Sequence, residues 1–162
     1  MCKKRNQGMS LVEVVVVLSI MVILTGVITV GLGAATSKPA EECAEKIVNA
    51  LNACRVSTMG KEDTQLQFYI NNDSVYVKEF INGSEVKNLP ISGKGVNVKY
   101  KYKSGDEFNL SDTPLNLSYN RSTGGFNECA PGNYCSQIIV SKGSRTVTVK
   151  LYDLTGKVSL EK

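Results

Sequence analysis

The cysteines are the residues of this sequence whose positions suggest a specific chemistry. Cys129 and Cys135 bracket the stretch Ala-Pro-Gly-Asn-Tyr, in which Pro-Gly favours a tight turn. We expect a local disulfide between them rather than a zinc site, because Cys43 and Cys54 would have to complete the tetrad. Those two would be about 16 Å apart on a helix and could not bond to each other. They are therefore small buried residues, or one of them bonds to a cysteine of the loop.

This chain lacks residues that catalytic sites usually contain. The sequence has no histidine, which removes the commonest general base and the commonest metal ligand. A serine or cysteine nucleophile would need a lysine or carboxylate base, and no motif places one. The glycines at 93, 95, 124 and 125 are typical of turns rather than of phosphate-binding loops. We therefore predict no catalytic residue, no cofactor and no enzyme activity.

One acidic stretch could offer oxygen atoms to a cation. Its candidate ligands are Asp106, Glu107, Asn109 and Asp112, whose spacing differs from that of an EF-hand loop. We expect a solvated open loop over Ser104–Thr113, with no metal site.

Glu13 is the only acidic residue in a long apolar stretch, residues 9–35. Residues 14–35 carry no charge, and as a helix they would extend roughly 33 Å, against a hydrocarbon core of about 30 Å. A single segment in lipid must be helical to satisfy its own backbone, so we predict a membrane-spanning helix. A carboxylate there is costly, which favours a functional role for Glu13. The alternative is a position at the headgroup level without any role.

The residues before this stretch follow a known pattern. Three cations at positions 3–5 and a polar pair are followed by Gly8, directly before Met9. Together with Glu13 and the uncharged helix, they resemble the class III leader of type IV pilins and of type II secretion pseudopilins. The resemblance implies that a prepilin peptidase cuts after Gly8, that Met9 is N-methylated and that Glu13 serves assembly with other subunits in a helix bundle. The family usually begins its mature chain with phenylalanine, whereas this one has Met9.

The charge distribution indicates the orientation of the chain. Of the formal charge of +4, Lys3, Lys4 and Arg5 contribute three, so removal of residues 1–8 leaves +1. A dedicated nucleic-acid binder normally has a clear basic excess, which the mature chain lacks. The leader cations favour a cytoplasmic N-terminus by the positive-inside rule. With the resemblance, this implies a single-pass cytoplasmic membrane protein with its head outside the cytoplasm, which then enters a cell-surface or periplasm-spanning filament.

Residues 36–60 have the period of an amphipathic helix. The residues that share its apolar face are Cys43, Ile47, Ala50 or Leu51, and Cys54. Pro39 indicates a hinge between this helix and the membrane segment, and Gly60 is a suitable terminator.

After Gly60 the pattern changes to short alternating runs separated by turn residues. The predicted strands are Thr64–Ile70, Ser74–Phe80, Val96–Lys103, Leu115–Tyr119, Gln137–Ser141, Arg145–Tyr152 and Lys157–Leu160. Hairpin connections are predicted at residues 71–73 and 142–144, with a short turn at Thr155-Gly156. The alternation predicts one antiparallel sheet whose apolar face covers the amphipathic helix.

The predicted fold is therefore α+β and pilin-like. A long N-terminal helix, membrane-spanning in its first half and amphipathic in its second, packs on an antiparallel β-sheet head. The predicted parts are a cleaved leader (1–8), a transmembrane assembly helix (9–35), a helix entering the head (36–60) and the head itself (61–162).

Two further stretches of the sequence resemble one subgroup of this family. LNACRVSTMGKEDTQLQFYI and the ending from LNLSYN onward are similar to H-type minor pseudopilins and FimT-like minor pilins. This implies a structural subunit, a minor pilin or minor pseudopilin, of a pilus, a type II secretion system or a competence apparatus. Its partners would be other subunits, the prepilin peptidase and the cytoplasmic membrane.

The alternative is a DNA- or surface-binding module carried on the same stalk. Its support is the interleaving of Lys99, Lys101 and Lys103 with Tyr100 and Tyr102. On a strand, however, lysines and tyrosines at these positions point to opposite faces, so the tyrosines are predicted to belong to the core. Nucleic acid is accordingly the less favoured partner.

Overall fold

The structure, a computed structural model, describes residues 11–60 and 62–161, and the side chains of residues 22–37 lie outside that description. Helix α1 spans Leu11–Met59, 49 residues, and Pro39, where we expected a hinge, lies inside it. The chain divides into two compact units between Ala35 and Thr36. No helix in the described part of the chain combines the length and the apolarity that a membrane crossing requires.

The second part of α1 buries the face that its period predicted. The buried residues of this face are Ala40, Cys43, Ala44, Ile47, Leu51 and Cys54, all at most 1% exposed. Spacings of three and four residues place them on one side of an α-helix. Of the two alternatives at the third position, Leu51 is buried and Ala50 is only partly so. Gly60 follows the helix and donates its N–H to the Val56 carbonyl at 2.9 Å.

Nine strands are described after α1, and all their pairings are antiparallel. In chain order they are β1 (Thr64–Asn71), β2 (Ser74–Ile81), β3 (Ser84–Pro90), β4 (Asn97–Tyr102), β5 (Glu107–Asn109), β6 (Leu115–Ser118), β7 (Cys135–Lys142), β8 (Arg145–Tyr152) and β9 (Lys157–Glu161). Sheet A has the order β3-β2-β1-β6, and sheet B the order β5-β4-β7-β8-β9. All seven predicted strands are present, with bounds that differ by two residues or fewer.

Three features of the sheets differ from the sequence prediction. The prediction of one sheet was wrong, because the strands divide into two sheets according to pairings between distant segments. Strand β3 was not predicted, since all of its residues are exposed and no apolar alternation marks it. Strand β5 lies within Ser104–Thr113, which we expected to be an open loop, and is held there by its pairing with β4.

The hairpin turns follow the chemistry of their residues. Asn72 and Asp73 connect β1 to β2 with φ values of 48° and 61°, which Asn and Asp tolerate better than other side chains. Asn82 and Gly83 connect β2 to β3 with φ values of 50° and 79°. Asn-Gly is the strongest short hairpin signal, so β3 could have been found from this pair.

One hydrophobic core contains residues of α1 and of both sheets. Phe68 of sheet A and Tyr100 and Ile138 of sheet B are each at most 2% exposed in this core. Tyr102 is partly buried and packs against the same core. The prediction that the tyrosines of β4 belong to the core is therefore confirmed.

Candidate functional site

The N-terminal part of α1 exposes a continuous apolar surface. Its large apolar side chains are 38–80% exposed, and they are Leu11, Val12, Val14, Val15, Val16, Val17, Leu18, Ile20 and Met21. Every residue from 11 to 21 is exposed, so this surface surrounds the helix rather than forming one face of it. A helix that is apolar on all sides needs an apolar environment, which lipid or other helices can supply.

Glu13 lies in the first turn of the described helix, within this apolar surface. Among the described residues its carboxylate has neither a hydrogen-bond donor nor a cation as a partner. Ser19, in contrast, donates its hydroxyl to the Val15 carbonyl at 2.8 Å, so the helix itself satisfies that side chain. Removing an unpartnered carboxylate from water is costly. A cation or hydrogen-bond donors on whatever covers this surface would offset that cost.

The four cysteines of the head are free thiols, so the predicted bond between Cys129 and Cys135 is absent. We had expected a cross-link because the short loop offered little else to order it. Hydrogen bonds order it instead: Cys129 donates its backbone N–H to the Asn133 carbonyl at 2.9 Å. Gly132 donates its N–H to the Glu128 carboxylate at 3.0 Å.

Burial keeps the thiols protonated. It raises the pKa of Cys43 and of Cys54 to about 12 in each case, and it also raises the pKa of Cys129 and of Cys135. The thiolate is the nucleophile and the metal ligand, so neither chemistry is prepared at neutral pH. Cys43 and Cys54 are small buried residues of α1, the first of the two alternatives that we considered.

The lysines of β4, which supported the nucleic-acid alternative, are paired with carboxylates of the head. Lys99 and Lys101 contact the two oxygens of Glu107 at 3.0 Å and 2.9 Å, and Lys103 contacts Asp153 at 2.7 Å. Hydrogen bonds from these lysines lower the pKa of Glu107 and of Asp153. A phosphate backbone would compete with these carboxylates for the same ammonium groups. Glu107, one of the candidate cation ligands in the sequence, therefore takes part in two ion pairs.

Comparison with known proteins bears on the N-terminal segment. Residues 3–29 match a family model described as the prokaryotic N-terminal methylation motif. The match includes Gly8 and Met9, which lie outside the described residues, and Glu13. Searches among curated proteins and among solved structures found no match. The chain therefore carries the methylation motif of a class III prepilin leader, consistent with the type IV pilin and pseudopilin family.

Proposed function

We propose that this chain is a minor pilin or minor pseudopilin, a structural subunit that joins a type IV pilus-like filament through its N-terminal helix. The observation that carries the proposal is the apolar surface of residues 11–21, which surrounds the helix. It contains Glu13, whose carboxylate has no partner among the described residues. This surface falls within the segment that matches the methylation motif. It suits lipid before assembly and neighbouring helices afterwards.

The membrane-bound stage of this proposal is supported by the sequence. Residues 14–35 carry no charge and, as a helix, could cross a hydrocarbon core of about 30 Å. The cations at positions 3–5 favour a cytoplasmic N-terminus, which is where a prepilin peptidase would meet Gly8. The head would then lie outside the cytoplasm until the subunit enters the filament.

Glu13 would set the axial register of neighbouring helices. Cleavage after Gly8 leaves a free or methylated amine on Met9, which is a cation at the end of the apolar segment. In a bundle of staggered helices, this amine of one subunit can lie beside Glu13 of the next. Each charge is costly alone in an apolar bundle and is tolerated when paired. The pairing therefore favours one stagger over the others.

For the head we propose the H-type, FimT-like subgroup. The support is the sequence LNACRVSTMG at the end of α1, which leads into the hairpin of β1 and β2. The chain then closes with the antiparallel run of β7, β8 and β9, which contains the Thr155-Gly156 turn.

Processing gives the first test. Gly8→Val should block cleavage, because the peptidase would require a residue without a side chain at the cut. The expected result is that wild-type protein from its native cells lacks residues 1–8, whereas the variant keeps them. Mass spectrometry of the intact protein measures this, and Asn6→Ser, a polar change inside the leader, is the control that should still be cut. A wild-type protein with an intact leader would contradict the proposal.

Assembly gives the second test. Glu13→Val should leave membrane insertion and cleavage intact, since an all-apolar helix inserts at least as well. Incorporation should fall about tenfold or more, measured as the amount of this subunit in sheared filaments relative to total cell protein. Glu42→Val is the matched control, because Glu42 is an exposed glutamate of the same helix beyond the apolar segment. The Glu13→Asp variant should keep part of the wild-type incorporation, and the Glu13→Gln variant should keep little of it. Equal incorporation of the Glu13→Val variant and wild type would remove the register role.

A further inference from the structure

A groove of about 410 Å³ lies on the outer face of sheet A, the face that points away from the core. This volume falls within the range of about 300–1,000 Å³ that is usual for small-molecule sites. Side chains of β1, β2 and β6 line the groove, together with Gly83 of the β2–β3 turn and the loop residues Glu128 and Cys129. Gln65, Asn116 and Glu128 are exposed, so the groove is open to solvent.

The register of the strands brings the side chains of the groove together. Gln65 of β1 pairs with Phe80 of β2 and with Ser118 of β6, so these three side chains form one row across the sheet. The neighbouring row on the same face pairs Gln67 of β1 with Asn116 of β6. Paired side chains have Cβ atoms about 4.5–5.5 Å apart. One small ligand can therefore contact both rows at once.

The amide groups of the groove are only partly used within the chain. Gln67 donates from Nε2 to Asn116 Oδ1 at 2.9 Å, which holds the two amides side by side. Within the described part of the chain, this bond leaves Gln67 Oε1 as a free acceptor and Asn116 Nδ2 as a free donor. The side chain of Gln65 has no hydrogen bond to any described residue. A ligand that both donates and accepts hydrogen bonds suits these amides.

Phe80 places an aromatic ring beside these amides. It is half-buried, yet it is not one of the partly buried apolar residues that pack against the core, because it lies on the outer face with Gln65. Tyr69 and Tyr76, farther along the same face, stack on each other with ring centroids 5.6 Å apart. No such ring partner contacts Phe80 among residues 11–60 and 62–161. Its ring therefore offers an apolar surface to a ligand in the groove.

The charge of the groove restricts the kind of ligand that fits. Of the described residues that line it, only Glu128 is charged. Lys78, which lies beside Gln67 in the register, contacts the Glu85 carboxylate at 2.9 Å. An anionic ligand would therefore meet a carboxylate and no available cation in the groove, which disfavours phosphates and acids. A purely apolar ligand would deprive the amides of their hydrogen bonds to water and replace none of them.

We propose that this groove binds an uncharged pyranose unit, either of a free sugar or of a polysaccharide. Sugar hydroxyls donate and accept hydrogen bonds, as do the amides of Gln65, Gln67 and Asn116. One face of a pyranose ring presents C–H groups, which pack against the negative face of an aromatic ring such as that of Phe80. The groove uses no residue of the apolar segment 11–21. The inference therefore goes beyond the proposed assembly role, and each can fail without the other.

Glutamine side-chain NMR tests the site directly. The chain has four glutamines, Gln7, Gln65, Gln67 and Gln137, and Gln65 and Gln67 line the groove. The full-length protein, ¹⁵N-labelled at the glutamine side chains, is studied in micelles of a detergent without a sugar headgroup. The probes are glucose, galactose, mannose and N-acetylglucosamine, each titrated separately. At least one of them should shift the Gln65 and Gln67 signals to saturation, while the signal of Gln137, on sheet B, stays in place.

Variants separate the contributions of the ring and of the amides. Phe80→Ala should weaken sugar binding about tenfold or more. Tyr76→Ala is the matched control, because it removes a ring from the same face of the same strand outside the groove, and it should leave the affinity unchanged. Gln65→Met keeps the length of the side chain, removes its amide and should weaken binding about tenfold or less, measured on the Gln67 signal. If Phe80→Ala fails to fold, judged by a changed Gln137 signal, Gln65→Met decides.

Two further probes test the shape and the charge of the ligand. Sorbitol has the hydroxyls of a sugar without the ring, and glucuronate adds a carboxylate, so neither should shift the signals as the neutral sugars do. A disaccharide that binds more tightly than its single unit assigns the groove to a polysaccharide, whereas equal affinity assigns it to a free sugar. The proposal is overturned if none of the four sugars gives a saturating shift, or if sorbitol or glucuronate binds as well as they do. It is also overturned if folded Phe80→Ala or Gln65→Met protein binds sugar as wild type does.

Discussion

Apolar side chains are exposed in one stretch of helix α1 and buried in another. Leu18, in the N-terminal stretch, is 56% exposed, whereas Leu51, in the stretch that enters the head, is 0% exposed. The same contrast holds for charged side chains. Glu13 has no partner among the described residues, whereas Glu41 pairs with Arg145 of β8 at 2.8 Å.

The difference follows from the period of the apolar residues. Between Ala40 and Cys54 they recur every three or four positions, which makes one face that the strands of the head cover. Between Leu11 and Met21 they occupy nearly every position, so no single sheet could cover them. The strands of the head cover the stretch of α1 that enters it, whereas the apolar side chains of residues 11–21 stay exposed. The first and third of the following predictions separate these two situations, and the second tests the packing inside the head.

The largest effect is expected from a matched pair of leucines. Leu51→Ala should lower the free energy of unfolding by about 2–5 kcal/mol, because it leaves a cavity in the core. Leu18→Ala should change it by no more than about 0.5 kcal/mol, because that side chain is exposed, yet it should reduce incorporation into filaments. Urea unfolding of the full-length chain, followed by near-ultraviolet circular dichroism, measures the first quantity. Equal destabilisation by both variants would show that residues 11–21 also pack on the head.

A second pair tests how closely the backbone packs within the head. Gly156 and Gly143 have nearly the same φ, 62° and 60°, so alanine meets a similar backbone penalty of about 1 kcal/mol at either position. Gly143 has no atom within 4 Å of an added Cβ, whereas at Gly156 the Cβ would overlap the Gly124 carbonyl. Gly156→Ala should therefore lower the melting temperature clearly more than Gly143→Ala. Similar melting temperatures would mean that Gly124 and Gly156 are not packed together.

The smallest effect concerns the paired and unpaired carboxylates. The hydrogen bond from Lys103 lowers the pKa of Asp153 below its ordinary value, so this pair contributes stability at neutral pH. That stability is lost as the pH falls through the lowered folded-state pKa. Asp153→Asn should therefore reduce the drop in melting temperature between pH 7 and pH 3. Glu13→Gln should leave that drop unchanged in the monomeric chain. A larger drop in the Asp153→Asn variant than in wild type would contradict a stabilising role for the Lys103–Asp153 pair.

Much of the fold could be predicted because its signals are local. The alternation of Val98 and Tyr100 with their polar neighbours identified β4 and the side of it that is buried. Asn72-Asp73 identified a hairpin from the tolerance of those residues for positive φ. Strand β3 has only exposed residues, so its local signal is the Asn82-Gly83 turn before it, and its extent depends on pairing with β2. The structure does not contain the predicted disulfide, and the hydrogen bonds that order the loop after Cys129 could not be read from the sequence.

The sequence by itself determined the N-terminal motif, the position of Glu13 in an uncharged stretch and the buried face of the second half of α1. These depend on the type and spacing of residues that are close together along the chain. Only the tertiary structure decided how the strands divide into two sheets, because pairing joins distant segments whose patterns fit several partners. It also decided that Lys103 pairs with Asp153, a contact between residues 50 positions apart in the chain. Long-range contacts of this kind leave no local period, so they exist only once the chain has folded.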